Sequence, residues 1–365
     1  MPEPLKNLYT KELINSLCCA ITAEYPAFDT PLFTALIFDS EWQGRELKDR
    51  MKRISEVLNL CLPMTYIKSL EILKPVAEQF SGFQYMFFPG YVELYGFAEP
   101  GSEVFLASMD ALEYFTAFSS SEFAVRPFLK AYPIAMMLQM TAWASSENEH
   151  IRRLASEGCR PRLPWAMALP DFKFNPSSVL ALLVLLRYDS SEYVRKSVAN
   201  NLNDISKDHP DEVVNIAKAW LGETKNLDRL VKHGCRTLLK QGGADVLTLF
   251  GFTDPSHIGL SDFNLQESLE IGESLSFSFQ LNTNQVNIGK LRLEFAIDFM
   301  KSKGKTSKKV FSISESNCDG QFKIVKKKHP FKIISTRTYY PGLHRLAIIV
   351  NGKEMIAGNF NLINK

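Results

Sequence analysis

Two periodicities along the chain predict an α+β multidomain protein, an all-α repeat solenoid followed by a β-sandwich. Up to Gly242 the apolar residues recur at helical spacing, as in Ile151, Leu154 and Ala155 or in Val194, Val198 and Leu202. From about Leu275 they alternate every second residue, as in Leu275, Phe277, Phe279 and Leu281. The segment Thr253–Gly259 (TDPSHIG) is the linker between the two regimes. The expected domains are therefore 1–252 and 257–365.

Residues 1–120 read as mostly helical. Tyr9–Ala23, Thr30–Ile37, Glu46–Cys61 and Thr65–Phe80 each carry apolar residues at i, i+3 and i+4, with Pro26, Pro31, Pro63 and Pro75 near their ends. The aromatic stretch Phe83–Phe97 is expected to be a loop and a short helix on the core. Met109–Phe118 and Glu122–Tyr132 form the next helix pair, with Glu122 in a first turn where the helix dipole favours a carboxylate. Pro133–Trp143 is methionine-rich core, and Ser177–Tyr188 is apolar all round, as expected of a helix covered on both sides.

The stretch Ser145–Trp165 begins with Ser145 and Ser146 as N-cap candidates and Glu149 three residues after Ser146. Its helix should end at Gly158, before a segment with Arg160, Arg162 and Trp165 broken by Pro161 and Pro164. The plan returns 43 residues later in Asp189–Pro210, with Arg195 and Lys196 in register with Arg152 and Arg153. A weaker copy, Asp228–Gly242, carries Lys232, Arg236 and Lys240. Helical units returning every 35 to 45 residues or so are HEAT-like repeats. In such a stack the basic residues line up on one face, and Arg152, Arg153, Arg195, Lys196, Lys232 and Arg236 then form a track for phosphates.

The net charge of +2 hides an asymmetry: from His257 onward 16 lysines and arginines stand against 9 acids, and before it 26 stand against 31. The six cysteines form no CxxC pair and have no histidine at metal-ligand spacing, which argues against a disulfide framework and a zinc site and for a reducing compartment. The N-terminus has no signal-peptide pattern and no window of 18 apolar residues occurs, so a soluble, cytoplasmic protein is expected. Neither GxxxxGK nor GxGxxG is present, which leaves nucleotide hydrolysis without a motif.

The C-terminal part should form about seven short strands of an immunoglobulin-like sandwich lacking the Cys…Trp…Cys core of an antibody domain. Strands are expected around Leu275–Leu281, Leu291–Ile297, Val310–Ile313, Phe331–Ile334, Leu343–Val350 and Met355–Leu362, with Asn351-Gly352 as a hairpin turn. The lysine clusters 301–309 and 326–328 are expected in its loops.

Three stretches carry a resemblance to a known family: SSEFAVRPF (Ser120–Phe128), IRRLASEGCRPRLPWA (Ile151–Ala166) and SVANNLNDISKDHP (Ser197–Pro210). With the appended sandwich, the chain resembles the AlkC branch of the AlkC/AlkD DNA glycosylases along essentially its whole length. The resemblance implies a monofunctional enzyme that releases cationic bases such as 3-methyladenine and 3-methylcytosine from DNA without base flipping. It implies an active site of Glu122, Glu157, Trp165 and Asp204, with Arg152, Arg160 and Arg162 as cationic contacts. An N3-methylated base is already a cation and leaves without an added proton, so carboxylates suffice to stabilise an oxocarbenium-like sugar and to position water. Asp204 is the first choice for that role, Glu157 the second and Glu122 a contributor, while Trp165 lies against sugar and base. No cofactor and no metal are expected; the partner is double-stranded DNA with alkylated bases, bound by a monomer without a membrane or an obligate protein partner. The alternative is a non-catalytic HEAT-repeat adaptor for DNA or protein. In that case the acids are simply ion-paired, Glu157 with Arg153 or Arg160 and Asp204 with Lys207 or Lys196.

Overall fold

A computed structural model describes residues 3–62, 65–302, 304–333 and 337–364. Pro63, Lys303 and Ile334 lie outside them. The chain divides into two compact units, Met1–Gly234 and Cys235–Lys365.

The first unit is built of helices, beginning with Lys11–Glu24, Thr30–Ile37, Leu47–Cys61 and Tyr66–Ala77. The aromatic stretch is a single turn at Phe83–Tyr85 and a helix Phe87–Tyr95, in line with the expected loop and short helix. The next helix starts at Glu103, earlier than expected, because Ser102 caps it by accepting from Phe105 N–H at 3.2 Å. Glu122 is not in a first turn: the helix runs Val125–Ala131, and Glu122 sits in the turn ahead of it. Ser120 Oγ donates to its carboxylate at 2.8 Å.

The helices Glu149–Gly158, Glu192–Ile205 and Lys225–Gly234 pack side by side and carry the site. Small residues let them approach: Ser156 Oγ and Ser197 Oγ bond at 2.7 Å, and Gly234 lies where an added Cβ would meet Leu202 at 3.2 Å. The cap of the first of these is Asn148, whose Oδ1 accepts from His150 N–H at 2.9 Å, and not Ser146. The weak third copy is interrupted at Cys235, just after Gly234, into Lys225–Gly234 and Arg236–Gln241. Ser177–Leu186 is covered on one side only, since Val184 and Leu185 are exposed. No helix among the described residues is long and apolar enough to cross a membrane.

The second unit holds two sheets: β1 (Ile258–Leu265), β3 (Ser274–Thr283) and β6 (Phe322–Pro330) in the order β1-β3-β6, and β2 (Ser268–Glu270), β8 (Lys353–Ile363), β7 (Gly342–Val350), β4 (Gly289–Met300) and β5 (Thr306–Cys318) in that order. Inward residues of β3 and β4, including Phe277, Phe279, Leu293 and Phe295, form the core between them. Asn351 (φ 45°) and Gly352 (φ 81°) make the expected tight turn between β7 and β8. Two expectations fail here. The strand placed at Phe331–Ile334 is β6, which ends at Pro330, and Lys326–Lys328 lie within it. Lys308 and Lys309 likewise lie in β5. Both strands are sheet edges, where lysines deter pairing with a further chain. Alternation with apolar neighbours was hidden by the charge run.

Gly158 ends its helix where a Cβ would meet Val125 Cγ2 at 2.7 Å. Gly158→Ala should therefore lower unfolding stability by roughly 1–3 kcal/mol, read from denaturant midpoints at unchanged m.

Candidate active site

Three expected acids meet in one row of alternating charge. Asp204, near the end of the Glu192–Ile205 helix, accepts from Arg160 Nε at 2.9 Å and from Lys207 Nζ at 3.1 Å. Arg160 also donates from Nη1 to Glu157 Oε1 at 2.5 Å. Glu157 Oε2 accepts from Ser197 Oγ at 2.7 Å, and Arg153 lies 3.6 Å from its other oxygen. Arg153 completes the row by donating to Glu122 and, at 3.1 Å, to Ser120. The order is Glu122, Arg153, Glu157, Arg160, Asp204, Lys207, three anions among three cations. The pairings expected of an ion-paired cluster are present for Glu157 with Arg160 and for Asp204 with Lys207.

The row is deep at its centre. Glu157, Arg160 and Asp204 are buried, whereas Lys207 at its end has a side chain 38% exposed. Burial alone disfavours the charge on Arg160, yet Glu157 and Asp204 hold its pKa above the ordinary arginine value. Arg153 is held up in the same way against burial, by Glu122 and Glu157. Its guanidinium lies 5.1 Å from the Tyr193 ring centroid, so that ring covers it from one side. Cys159, between Glu157 and Arg160, is an unreactive neighbour, its thiol pushed up to about 12 by burial.

Trp165 is 62% exposed and adopts φ 63°, a left-handed conformation that is unusual for a bulky residue. Its ring edge meets Phe83 with centroids 6.1 Å apart, and Lys48 donates to its carbonyl. The Lys48 ammonium also lies 4.9 Å from the Phe123 ring, next to Glu122. Ser120, Phe123, Ala166 and Met167 line one cleft of about 470 Å³ with Lys48 and Glu93, so the Trp165 loop and the Glu122 turn border the same space. Burial raises the Glu93 pKa above the ordinary carboxylate value.

The expected phosphate contacts divide into several kinds. Arg152 grips Asp189 through Nε and Nη2 at 2.6 and 3.0 Å, and its Nη1 donates to the carbonyls of Ser146 and Glu147. Arg195 repeats this 43 positions on, donating from Nη1 to the carbonyls of Asp189 and Ser190 at 2.6 and 2.8 Å. Arg162 pairs with Asp208 at 2.7 Å. Lys196 is exposed and shares with Arg195, Arg229, Asn226 and His233 a cleft of about 240 Å³. Lys232 is exposed on the Lys225–Gly234 helix, and Arg236 belongs to the second unit. Arg160 is spent inside the row.

Ser197, Tyr193, Lys48 and Arg126 were not picked out from the sequence. Ser197 carried a usable signal, being a polar residue where the preceding repeat has Leu154 in its apolar stripe. Removing Arg160 would leave two buried carboxylates without their shared partner. Arg160→Ala should cost about 3–5 kcal/mol in an unfolding titration, while Arg162→Ala, at a half-exposed pair, should cost less than about 1 kcal/mol.

A family model described as "DNA alkylation repair enzyme" matches residues 109–233, and one described as "Uncharacterised protein YhaZ, C-terminal Ig-like domain" matches 259–364. Over 351 residues the chain is 44% identical to "Uncharacterized protein YhaZ" of Bacillus subtilis (strain 168), covering 96% of each. It is also similar to the solved structure of Pseudomonas fluorescens alkylpurine DNA glycosylase AlkC bound to DNA containing an abasic site analog. There the identity is 36%, the TM-score 0.93, and the match covers 99% of this chain and 100% of that one. Glu122, Glu157, Trp165 and Asp204 all fall within the residues matched by the first family model.

Proposed function

The chain belongs to the AlkC branch of the DNA alkylation repair enzymes, and from that premise we propose that it is a monofunctional DNA glycosylase. Its substrates are cationic alkylated bases in duplex DNA, 3-methyladenine and 3-methylcytosine, attacked without extrusion of the base into a pocket. The alkylpurine DNA glycosylase activity named for the Pseudomonas relative, similar over its full length, supports the glycosylase reading. The observation that carries the reading is Trp165, a tryptophan 62% exposed on a left-handed backbone in the loop that follows Glu157 and Arg160. Strain of this kind persists where surroundings hold it in place, and a large aromatic face turned to solvent suits a flat cationic partner.

In the reaction, the bond from C1′ to the alkylated base breaks with its electron pair leaving on the base, which becomes neutral and needs no acid. The sugar is left as an oxocarbenium ion, the water oxygen bonds to C1′, and one of the water's O–H bonds breaks with its proton passing by way of the Asp204 carboxylate to solvent. Asp204 and Glu157 supply the negative field for the cation, and Asp204 orients the water. The arginines between them fix each carboxylate in place before the substrate arrives, so little reorganisation accompanies bond breaking. Lys207, the outermost partner, can turn to a DNA phosphate and free Asp204 Oδ1 for the water. Glu122 contributes to the same field, and Trp165 stacks on the sugar and the charged base.

Purified protein incubated with alkylated duplex DNA should release free 3-methyladenine, and Asp204→Asn should slow that release about 100-fold or more with duplex binding retained. The ion pairing of every carboxylate favours the other reading, a HEAT-repeat adaptor without catalysis. Wild-type protein that binds DNA and releases no base would establish that reading instead. Lys196 and Lys232 are proposed phosphate contacts alongside the arginines of the repeat. Lys196→Ala should weaken binding to all sequences alike and reduce the slope of log K against log salt by about 1.

A further inference from the structure

Arg126 is completely buried at the start of the Val125–Ala131 helix, the end at which the helix dipole opposes a cation. No carboxylate among the described residues forms an ion pair with it. Its Nε donates to the carbonyl of Met167 at 2.7 Å and its Nη1 to that of Gly158 at 2.8 Å, while its buried Nη2 has no partner. Burial lowers its pKa to about 10, so at neutral pH the group is still a cation.

A buried cation held only by neutral carbonyls is a costly way to join two pieces of chain, and an apolar side chain would fill the space more cheaply. What the guanidinium provides is geometry. Gly158 and Met167 bracket the segment that carries Arg160, Arg162 and Trp165. Two nitrogens of one rigid plane therefore fix both ends of that segment, which a lysine with its single ammonium does less exactingly. Gly158 is also the last residue of its helix, so the positive charge sits favourably at that helix's C-terminal end.

We propose that Arg126 is a positioning residue of the base-releasing site, holding Arg160 between Glu157 and Asp204 and Trp165 outward through the two ends of their common loop. This rests on the glycosylase reading above. Among the described residues Arg126 makes no hydrogen bond or ion pair with the row of charges; it feels Arg160, Asp204 and Glu122 only through their field, and its hydrogen bonds go to the two ends of the loop.

The test compares wild type, Arg126→Met and Arg126→Lys. The single-turnover rate of 3-methyladenine release is measured with protein in excess, duplex affinity by anisotropy, and stability by thermal melting. Acrylamide quenching is measured too, the Trp165 share being isolated by subtracting the same protein carrying Trp165→Phe from the four-tryptophan signal. Both variants should bind duplex as the wild type does, release base about 100-fold more slowly, and show altered Trp165 quenching. Wild-type release from either folded variant would overturn the proposal. So would a loss of rate that a stabilising osmolyte restores together with the melting temperature, or failure of both variants to fold, since Arg126 would then serve folding alone. If the wild type itself releases no base, the glycosylase reading is what fails. The quenching measurement then stands by itself, and unchanged Trp165 quenching in Arg126→Met would overturn the positioning role.

Discussion

The Arg160 guanidinium, shared by two buried carboxylates from neighbouring repeats, is the contact on which the rest of the first unit's site depends. Glu157 and Asp204 come from different helices and would repel each other without it. With it, they become the fixed centre of a row that extends to Glu122 on one side and to Lys207 on the other. Desolvating charges is expensive, and well-packed apolar residues commonly hold two helices together at least as firmly. Helix packing alone therefore gives little reason for six charged groups here. The proposed reaction, which passes through a sugar cation, gives one.

The repeat explains how such a row can be built on an otherwise ordinary solenoid. In two successive units an arginine reaches back to the carbonyls six and five residues before it: Arg152 to Ser146 and Glu147, and Arg195 to Asp189 and Ser190. That staple belongs to the architecture. The site appears where the two units differ: Ser197 stands in the place of Leu154 and bonds both Ser156 and Glu157. Small polar residues at the helix contact bring the backbones close and supply Glu157 with a hydrogen bond that an aliphatic stripe could not.

The period of the helices, the change to alternation in the C-terminal part and the Asn351-Gly352 turn were legible because each rests on neighbours in sequence. The motifs that carry Glu122, Glu157, Trp165 and Asp204 were legible through resemblance, but the row of charges that joins the three acids was not, since Arg160 bridges residues on separate helices. Where the basic side chains end was not legible, for a physical reason. Position on a helix face says where an arginine starts, and its long side chain ends wherever an acceptor is, which for Arg152 is Asp189 and for Arg160 is the interior. The lysines of β5 and β6 misled, since a charged edge strand has the composition of a loop.

Trp165 shows why these features belong together. A left-handed conformation costs a side-chain-bearing residue on the order of 1–2 kcal/mol, and burial does not offset that here because the ring is largely in solvent. The conformation has to be imposed by the loop's own fastenings. Those are Lys48 on the Trp165 carbonyl, Arg126 on Met167 and Gly158, and Leu169 N–H on the Pro161 carbonyl at 3.2 Å. Two of these ties come from other parts of the first unit and the third closes the segment on itself. A surface tryptophan held out in this way, in the loop that follows Glu157, suits the proposed contact with a flat cationic partner.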